Sequence, residues 1–578
     1  MITRRNFLQV AAATAAVTGL GAGGGLRRAA AQQSIRQEDL LRFESKGQLT
    51  ILHMADTHAQ LRPIYFREPS LNVGVGNARG RLPHITGIEL LNTFAIRETS
   101  PEAYMLSSED YEALARTYGR VGGMDRMATL VNAIRAERGA ERVLLLDGGD
   151  ALQGSFTAMA TRGGDMVSVL EVMGVEATTG HWEFTLGAQR IAELFGEADR
   201  PGSSSLAFLA GNVLDTDFAE PVFNSTRLFS KGGIIVAVIG QAFPYTSIAN
   251  PRWMMPAWSF GIRETELRRA VAAARRHGAE VVVLLSHNGF DVDRKLAGRV
   301  NGIDVILTSH THDALPVPVT VGKTVLIASG SGGKFVSVLD VDVGTNGMKS
   351  YSFRLIPIFA DVIAPDAVMA AKIAAIRAPH EIMLGEVIGR TETLLYRRGN
   401  FNGTLDDVIC DALMAERDAE IALSPGVRWG NALLPGSNIT RGHHQRHRHH
   451  VPRRLSHRDD RGAAQGGAGG LGRQPVQPGS LLPAGRRHGP GRRRVLYDRR
   501  QPKYRQPHPR SHPHPHRPAA RSGQGICRRR LGQRERRDRR AADLGRGHRP
   551  HPQETHRRAA GNRPRSRHRN LAPARPAP

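Results

Sequence analysis

Cysteine is nearly absent: 578 residues carry two, Cys410 and Cys527. Neither has a second Cys or a His at metal-finger spacing, so a disulfide framework is excluded and thiolate metal binding is disfavoured. Apolar runs long enough to cross a bilayer are missing as well. The one candidate, near the N-terminus, is short and Gly-rich, and Arg27-Arg28 follows it in place of a stop-transfer pattern. From Gly442 onward there is no Phe or Trp, and little acid. Residues 441–578 hold 37 Lys+Arg against 7 Asp+Glu, which leaves 43 against 46 for residues 1–440. The overall charge of +27 therefore belongs to the tail. The nearly neutral body gives no reason to expect a specific nucleic-acid partner.

So few apolar residues cannot bury enough surface to fold, and 442–578 is expected to be a disordered Arg/His/Pro-rich tail. Two origins are open. One is a basic arm for polyanions; the other, which we prefer, is a reading frame that slips near Arg441 in a GC-rich gene. Out-of-frame GC-rich codons give Arg, Pro, Gly, Ala and His, and 15 of the 24 His fall in this stretch. None of those His is assigned a ligand role. At the other end, Arg4-Arg5-Asn6-Phe7-Leu8 matches the twin-arginine pattern, and Ala29-Ala30-Ala31 offers a small-residue cleavage site. Residues 1–31 are expected to be a twin-arginine signal peptide that takes the folded protein through the Tat export machinery to the periplasm.

What the body does have is a set of short apolar strands that end in Asp and His. Ile51-Leu52-His53-Met54 runs into Asp56-Thr57-His58, and Leu144–Leu146 into Asp147-Gly148-Gly149-Asp150. Val281–Leu285 runs into Ser286-His287, and Val305–Leu307 into Ser309-His310-Thr311-His312. Such runs read as strands of a covered sheet, whose ligand crevice lies beyond the carboxyl ends. Helical patterns alternate with them, from Met127 to Ile134 and from Glu264 to His277, which argues for an α/β layered domain. Between strands one and two, Arg62 to about Gly119 is a long polar insertion without clear periodicity. From about Ala364 a second α/β pattern begins, with a helix over Ala367–Ile376, a strand over Gly385–Thr391 and a helix over Leu405–Met414.

Singly, each Asp/His motif is modest: an Asp-x-His after a strand is more often a structural pair, and His-Thr-His can be a surface loop. Their order raises the odds. Asp56/His58, Gly149-Asp150, Gly180-His181, His287 and His310/His312 follow one another, mostly at strand ends, and five of the nine His before the tail belong to the series. Two cations ~3.5–4 Å apart need a bridging carboxylate and terminal N/O ligands, and seven such residues suffice. Donors without thiolate suit Mn, Zn, Fe or Co better than Ca. Asn212 reads as a turn residue. Trp182 is either a packing residue or part of the site wall. Arg428 and Trp429 either line an interdomain cleft or close the second domain's fold, and Arg67 either contacts an anionic substrate or is solvated.

The series resembles the calcineurin-like metallophosphoesterases, specifically their 5′-nucleotidase branch, over about Leu49 to Leu339 and again from Phe401 through Leu413. The resemblance implies a four-layer α/β sandwich at 45–363, a truncated 5′-nucleotidase-type C-terminal α/β domain at 364–441, and a dimetal centre. Asp56, His58 and His312 would hold one metal, His181, His287 and His310 the other, and Asp150 would bridge. Two departures stand out. Ser309 replaces the usual Gly, and Gly180-His181-Trp182-Glu183-Phe184 replaces Gly-Asn-His-Glu-Phe, so that Trp182 stands where phosphoesterases keep a proton-donating His. An alcohol departs poorly without a donor, whereas a thiol, with a pKa of about 8.5 or below, can depart as thiolate.

Gly-His-Trp-Glu-Phe, Thr57-His58-Ala59-Gln60-Leu61, Phe66-Arg67-Glu68-Pro69-Ser70 and Ser424-Pro425-Gly426-Val427-Arg428-Trp429-Gly430 together resemble the SoxB thiosulfohydrolase family. That resemblance implies a dimanganese, periplasmic, monomeric enzyme. It would release sulfate from a cysteine S-thiosulfonate on the carrier SoxYZ, with Asp150, His181, Trp182 and Arg428 at the reacting centre. A periplasmic 5′-nucleotidase is the alternative. The family continues past Thr440 with an acidic helix start, which a slipped frame turns into Gly-His, and this implies that half of the second domain is missing.

Overall fold

The computed structural model describes residues 35–41, 46–196, 206–345, 347–397, 403–417, 419, 421–424, 430–443 and 453–454. In chain order the strands are β1 (Leu49–Met54), β2 (Val143–Asp147), β3 (Ala177–Thr178), β4 (Ala207–Phe208), β5 (Val213–Asp215), β6 (Thr226–Lys231) and β7 (Ile234–Gln241). There follow β8 (Trp258–Phe260), β9 (Val281–Ser286), β10 (Val305–Thr308), β11 (Val319–Val321), β12 (Thr324–Ala328), β13 (Phe335–Gly344) and β14 (Gly347–Pro357). Two six-stranded sheets result, ordered β14-β13-β1-β2-β3-β4 and β11-β12-β10-β9-β7-β6. Strands β1 to β4 pair in parallel, as do β7, β9, β10 and β12, while β13, β14, β6 and β11 are antiparallel additions at the sheet sides.

The unbroken apolar runs are explained by cover on both faces. Ile51, Leu144, Leu146, Val283, Leu285 and Leu307 interdigitate between the two sheets. The opposite face of the first sheet, with Leu52, Met54 and Leu145, packs on helices Met124–Arg138, Gly164–Met173 and Ala367–Arg377. The opposite face of the second, with Val282, Leu284 and Ile306, packs on Glu264–Arg276 and Phe290–Ala297. The order helix, sheet, sheet, helix is the four-layer α/β sandwich of the metallophosphoesterases. Leu146 is fully buried in its middle, and truncating such a residue to Ala costs about 2–5 kcal/mol.

The insertion is not the loop its sequence suggests. It holds three short helices, Gly87–Thr93, Pro101–Leu106 and Tyr111–Tyr118. Ser100 caps the second by accepting from the Ala103 N–H at 3.2 Å, with Pro101 opening the turn. Tyr104, Tyr111 and Tyr118, seven residues apart, are its buried centre, and Tyr104 stacks on both others at about 6 Å. Ala432 and Leu434 join this core from the far end of the chain, and the Ala432 N–H donates to the Tyr65 carbonyl at 2.7 Å.

Beyond residue 364, Val387–Arg390 pairs with Asn438–Thr440, and the helix Thr404–Arg417 packs beside Leu395 and Leu433. The expected tail lies outside the described residues, apart from Gly442, His443 and Arg453–Arg454. The last two pair with Ala422–Leu423.

Candidate metal centre

Both sheets point the carboxyl ends of their parallel strands at one place. After β1 the backbone turns through left-handed conformations at Asp56 and His58, and after β2 it does so at Asp150. The same conformation recurs at His310 and His312, after β10. Only eleven described non-glycine residues have positive φ, and five of them are sequence-selected ligands. Such conformations cost of order 1–3 kcal/mol each and persist where the surroundings over-determine them. Here the surroundings are the neighbouring loops. The Asp56 N–H donates to the Gly149 carbonyl at 3.0 Å, the His58 N–H to the Asp150 carbonyl at 2.9 Å, and the His310 N–H to the Asp56 carboxylate at 3.1 Å.

The seven residues come together as two groups. Asp150, His181, His287 and His310 form one, Asp56, His58 and His312 the other, and within each the donor atoms lie within 4.8 Å of one another. Asp150 Oδ2 is 2.9 Å from His181 Nδ1 and 3.4 Å from His287 Nε2. Asp56 Oδ1 is 3.4 Å from His312 Nε2 and 3.7 Å from His287 Nε2. His58 and His312 meet Nε2 to Nε2 at 3.1 Å.

The donor set fits a pair of divalent cations. His287 Nδ1 donates to the Gly148 carbonyl at 2.6 Å, which fixes the tautomer and leaves Nε2 bare. Both His287 Nε2 and His310 Nδ1 are buried without a hydrogen bond. Buried bare nitrogens beside carboxylates are costly unless something positive faces them.

The electrostatics divide the histidines into two kinds. Burial pushes Asp56 up to about 6, against the pull of His287 and helped by the nearby Asp150. Burial also acts upward on Asp150, but His181 and His287 outweigh it and hold this carboxyl well below the usual range. His287 loses charge to burial yet gains more from Asp56 and Asp150, and rises to about 10. His58 is lowered to about 3 by burial, and His310 and His181 also fall for that reason first. Those three are therefore held neutral, as metal ligation requires, whereas His287 is drawn towards its charged form by the two carboxylates that face it.

Several supports were not visible in the sequence. Glu183, useful there only for register, accepts from the Ala151 N–H at 2.8 Å, the Leu152 N–H at 3.3 Å and the His181 N–H at 2.8 Å. It thus ties the Asp150 loop to the His181 loop. The Trp182 N–H donates to Asp150 Oδ1 at 2.9 Å, and its half-buried indole lies 5.7 Å from the His181 ring. Asn212 does sit at a turn, but fully buried, bonding the Ala242 N–H at 2.8 Å and the Ala242 carbonyl at 2.7 Å. Ser309 is buried with its Oγ against Gly148, where a Cβ would come within 1.9 Å of it. Arg67 lies over the Tyr396 ring at 4.4 Å. Arg428 lies outside the described residues.

Comparison with known proteins places these features in a family. The twin-arginine translocation pathway signal sequence matches residues 1–21, so the chain carries a signal for export to the periplasm. No helix among the described residues is long and apolar enough to cross a membrane. The structure of the sulfate thiohydrolase SoxB from Thermus thermophilus, in complex with glycerol, is 36% identical and superposes with a TM-score of 0.67, covering 71% of this chain and 75% of that one. A 5′-nucleotidase precursor, also from Thermus thermophilus, shares the fold; it is 21% identical with a TM-score of 0.52, over 69% of this chain and 73% of that one. The rat 5′-nucleotidase is 25% identical over 327 residues, 51% of this chain and 54% of its own length. The bovine one is 27% identical over 213 residues, 36% of each. The chain spans between about a third and somewhat over half of the curated relatives it matches.

Proposed function

Given that the chain belongs to the family of the sulfate thiohydrolase SoxB, within the calcineurin-like 5′-nucleotidase superfamily, we propose that it is a dimanganese thiosulfohydrolase. Its substrate is a cysteine S-thiosulfonate on a SoxYZ-type carrier, from which it releases sulfate. At the coarser level it is a dimetal hydrolase of that superfamily. In this reading residues 45–363 are the catalytic domain, 364–441 are part of the C-terminal domain, and the enzyme acts as a monomer.

Asp56, His58 and His312 would hold one cation and His181, His287 and His310 the other, with Asp150 shared between them. When bound, such a pair supplies Lewis-acid chemistry, making water acidic enough to attack near neutral pH and offsetting charge on sulfonate oxygens. The chain's own residues do the rest. Glu183 and the Trp182 N–H fix Asp150 between the groups, and the Gly148 carbonyl fixes the face that His287 presents. Hydrolysis forms a bond from water oxygen to the sulfonate sulfur and breaks that sulfur's bond to its neighbour. The carrier persulfide leaves as an anion and protons pass to solvent. Arg428 is placed at the reacting centre by its segment alone.

The observation that carries the substrate class is Trp182. It sits beside Asp150, at the position where the superfamily motif has an imidazole, and its indole offers an N–H that does not titrate. A leaving group that needs no proton suits this site. The curated 5′-nucleotidase relatives favour a second reading, a nucleotide phosphoesterase. The test incubates Mn-loaded protein with thiosulfonate-loaded carrier and, separately, with AMP. Sulfate from the first without phosphate from the second supports our reading; phosphate alone overturns it.

A further inference from the structure

Four of the five imidazoles at the metal centre are oriented by hydrogen bonds from their ring nitrogens. His181 uses Asp150, His287 uses the Gly148 carbonyl, and His58 and His312 use each other. His310 differs. Its backbone N–H is held by Asp56, but no described residue hydrogen-bonds its ring, and Nδ1 is buried without a partner. What its ring does meet is Phe243, stacked at 4.0 Å between centroids and 29° between planes. The same phenyl lies 4.2 Å from the His181 ring. One side chain thus touches two imidazoles that arrive from different sheets, after β3 and after β10.

Phe243 is itself rigidly mounted. It follows β7 by two residues, and Asn212 clamps both polar atoms of the preceding Ala242 backbone. The Phe243 N–H donates to the Gly180 carbonyl at 3.0 Å, next to His181, and its carbonyl accepts from Thr246 Oγ1 at 2.7 Å. The residue is 8% exposed, so the direction of its ring is set by packing.

We propose that Phe243 is a positioning residue for the four-residue half of the centre, acting through the ring faces of His310 and His181. The inference rests on the metal reading of these two histidines. An imidazole that binds a cation becomes electron-poor, and the negative face of a phenyl ring attracts such a group. The stacked contact therefore strengthens when the cation arrives, besides restricting the His310 ring beforehand. An aliphatic side chain of similar size fills the space but supplies no ring face.

The test is equilibrium dialysis of the full chain against chelator-buffered Mn2+, with bound metal counted by mass spectrometry. Wild type, Phe243→Leu, Phe243→Met, Phe243→Tyr, His310→Ala and His181→Ala are compared, each checked for folding by circular dichroism. Partners that orient ligands typically contribute 10–100-fold in metal affinity. Phe243→Leu should therefore weaken one of two sites by about tenfold or more, and Phe243→Tyr, which keeps the ring, should stay within about twofold. Methionine serves where leucine does not fold. Wild-type affinity in the Leu or Met variant, with one site lost in His310→Ala, overturns the positioning role and leaves the metal centre standing. Two metals at wild-type affinity in both histidine variants overturns the metal reading, and the inference with it.

Discussion

Asp150, His181, His287 and His310 are gathered around Asp150 and braced by Glu183 and Phe243, whereas His58 and His312 turn their Nε2 atoms on each other. Each half has one half-buried histidine, His310 in the first and His58 in the second, and its other members are buried. A small cavity lined by Asn72, Pro83, Asp313 and Leu315 opens beside His312. The four-residue half is braced by Phe243 and by Glu183; the three-residue half relies on its own two imidazoles and borders that cavity. A preorganised half should retain its cation and lend stability to the fold. The half beside the cavity should exchange its cation more freely and matter more to the approach of substrate.

The largest effect that separates these from any other part of the molecule is expected at Asp150, which belongs to the four-residue group and whose backbone carbonyl also holds His58. Asp150→Ala should remove several kcal/mol of Lewis-acid stabilisation, about a thousandfold in turnover, measured as initial rate of sulfate release. An equal loss of cation from both halves would show that one carboxylate serves both; loss from one alone would leave Asp150 as a terminal ligand. Next, His287→Ala should destabilise the metal-free protein by about 2–3 kcal/mol, because it opens a buried polar cavity. His58→Ala should cost less than about 1 kcal/mol in the same denaturant titration. Equal costs would erase the contrast between the two halves.

Glu183→Gln is expected to be milder and one-sided. It weakens charge-assisted bonds worth about 1.5–3 kcal/mol in total effect, so cation affinity of the four-residue group should fall while that of the Asp56 group holds. The smallest effect at neutral pH, one that grows only on acidification, concerns His53, buried under the site and lowered by that burial to about 3, with its Nδ1 2.6 Å from Ser329 Oγ. A histidine held neutral in the fold leaves the unfolded chain binding more protons below about pH 6.5. Its contribution is therefore present above that value and is lost as the pH falls towards 3, by at most about 1.4 kcal/mol per pH unit. His53→Asn should flatten that slope in urea titrations between about pH 6.5 and 5.

Much of this was legible in the sequence because buried strands and ligand-bearing turns leave strong local marks. Val281–Leu285 and Val305–Leu307 are too apolar and too short to be anything but covered strands, and each ends on the residues that the centre gathers. The insertion left weaker marks. Its helices are six to eight residues long, too short for a 3.6-residue period to show, and three tyrosines, which hydropathy reads as polar, stand at the centre of its core. Their seven-residue spacing was the signal to look for. Glu183 and Phe243 were hidden for another reason: each acts through a partner distant in sequence, and nothing in Glu-Phe or in Ala242-Phe243 announces which loop it will meet. Strand β3, only two residues long, shows the same limit.

The insertion also decides how the chain can be cut. Its aromatic floor is shared, with Ala432 and Leu434 seated on one side and Phe335 and Phe359 on the other. Arg67 and Tyr396 grip across the same seam. A fragment starting at residue 364 would bare that floor, and so would a catalytic fragment ending at 363. The two stretches are better treated as one inseparable piece of architecture, and a graft from a relative would have to bring its own floor with it.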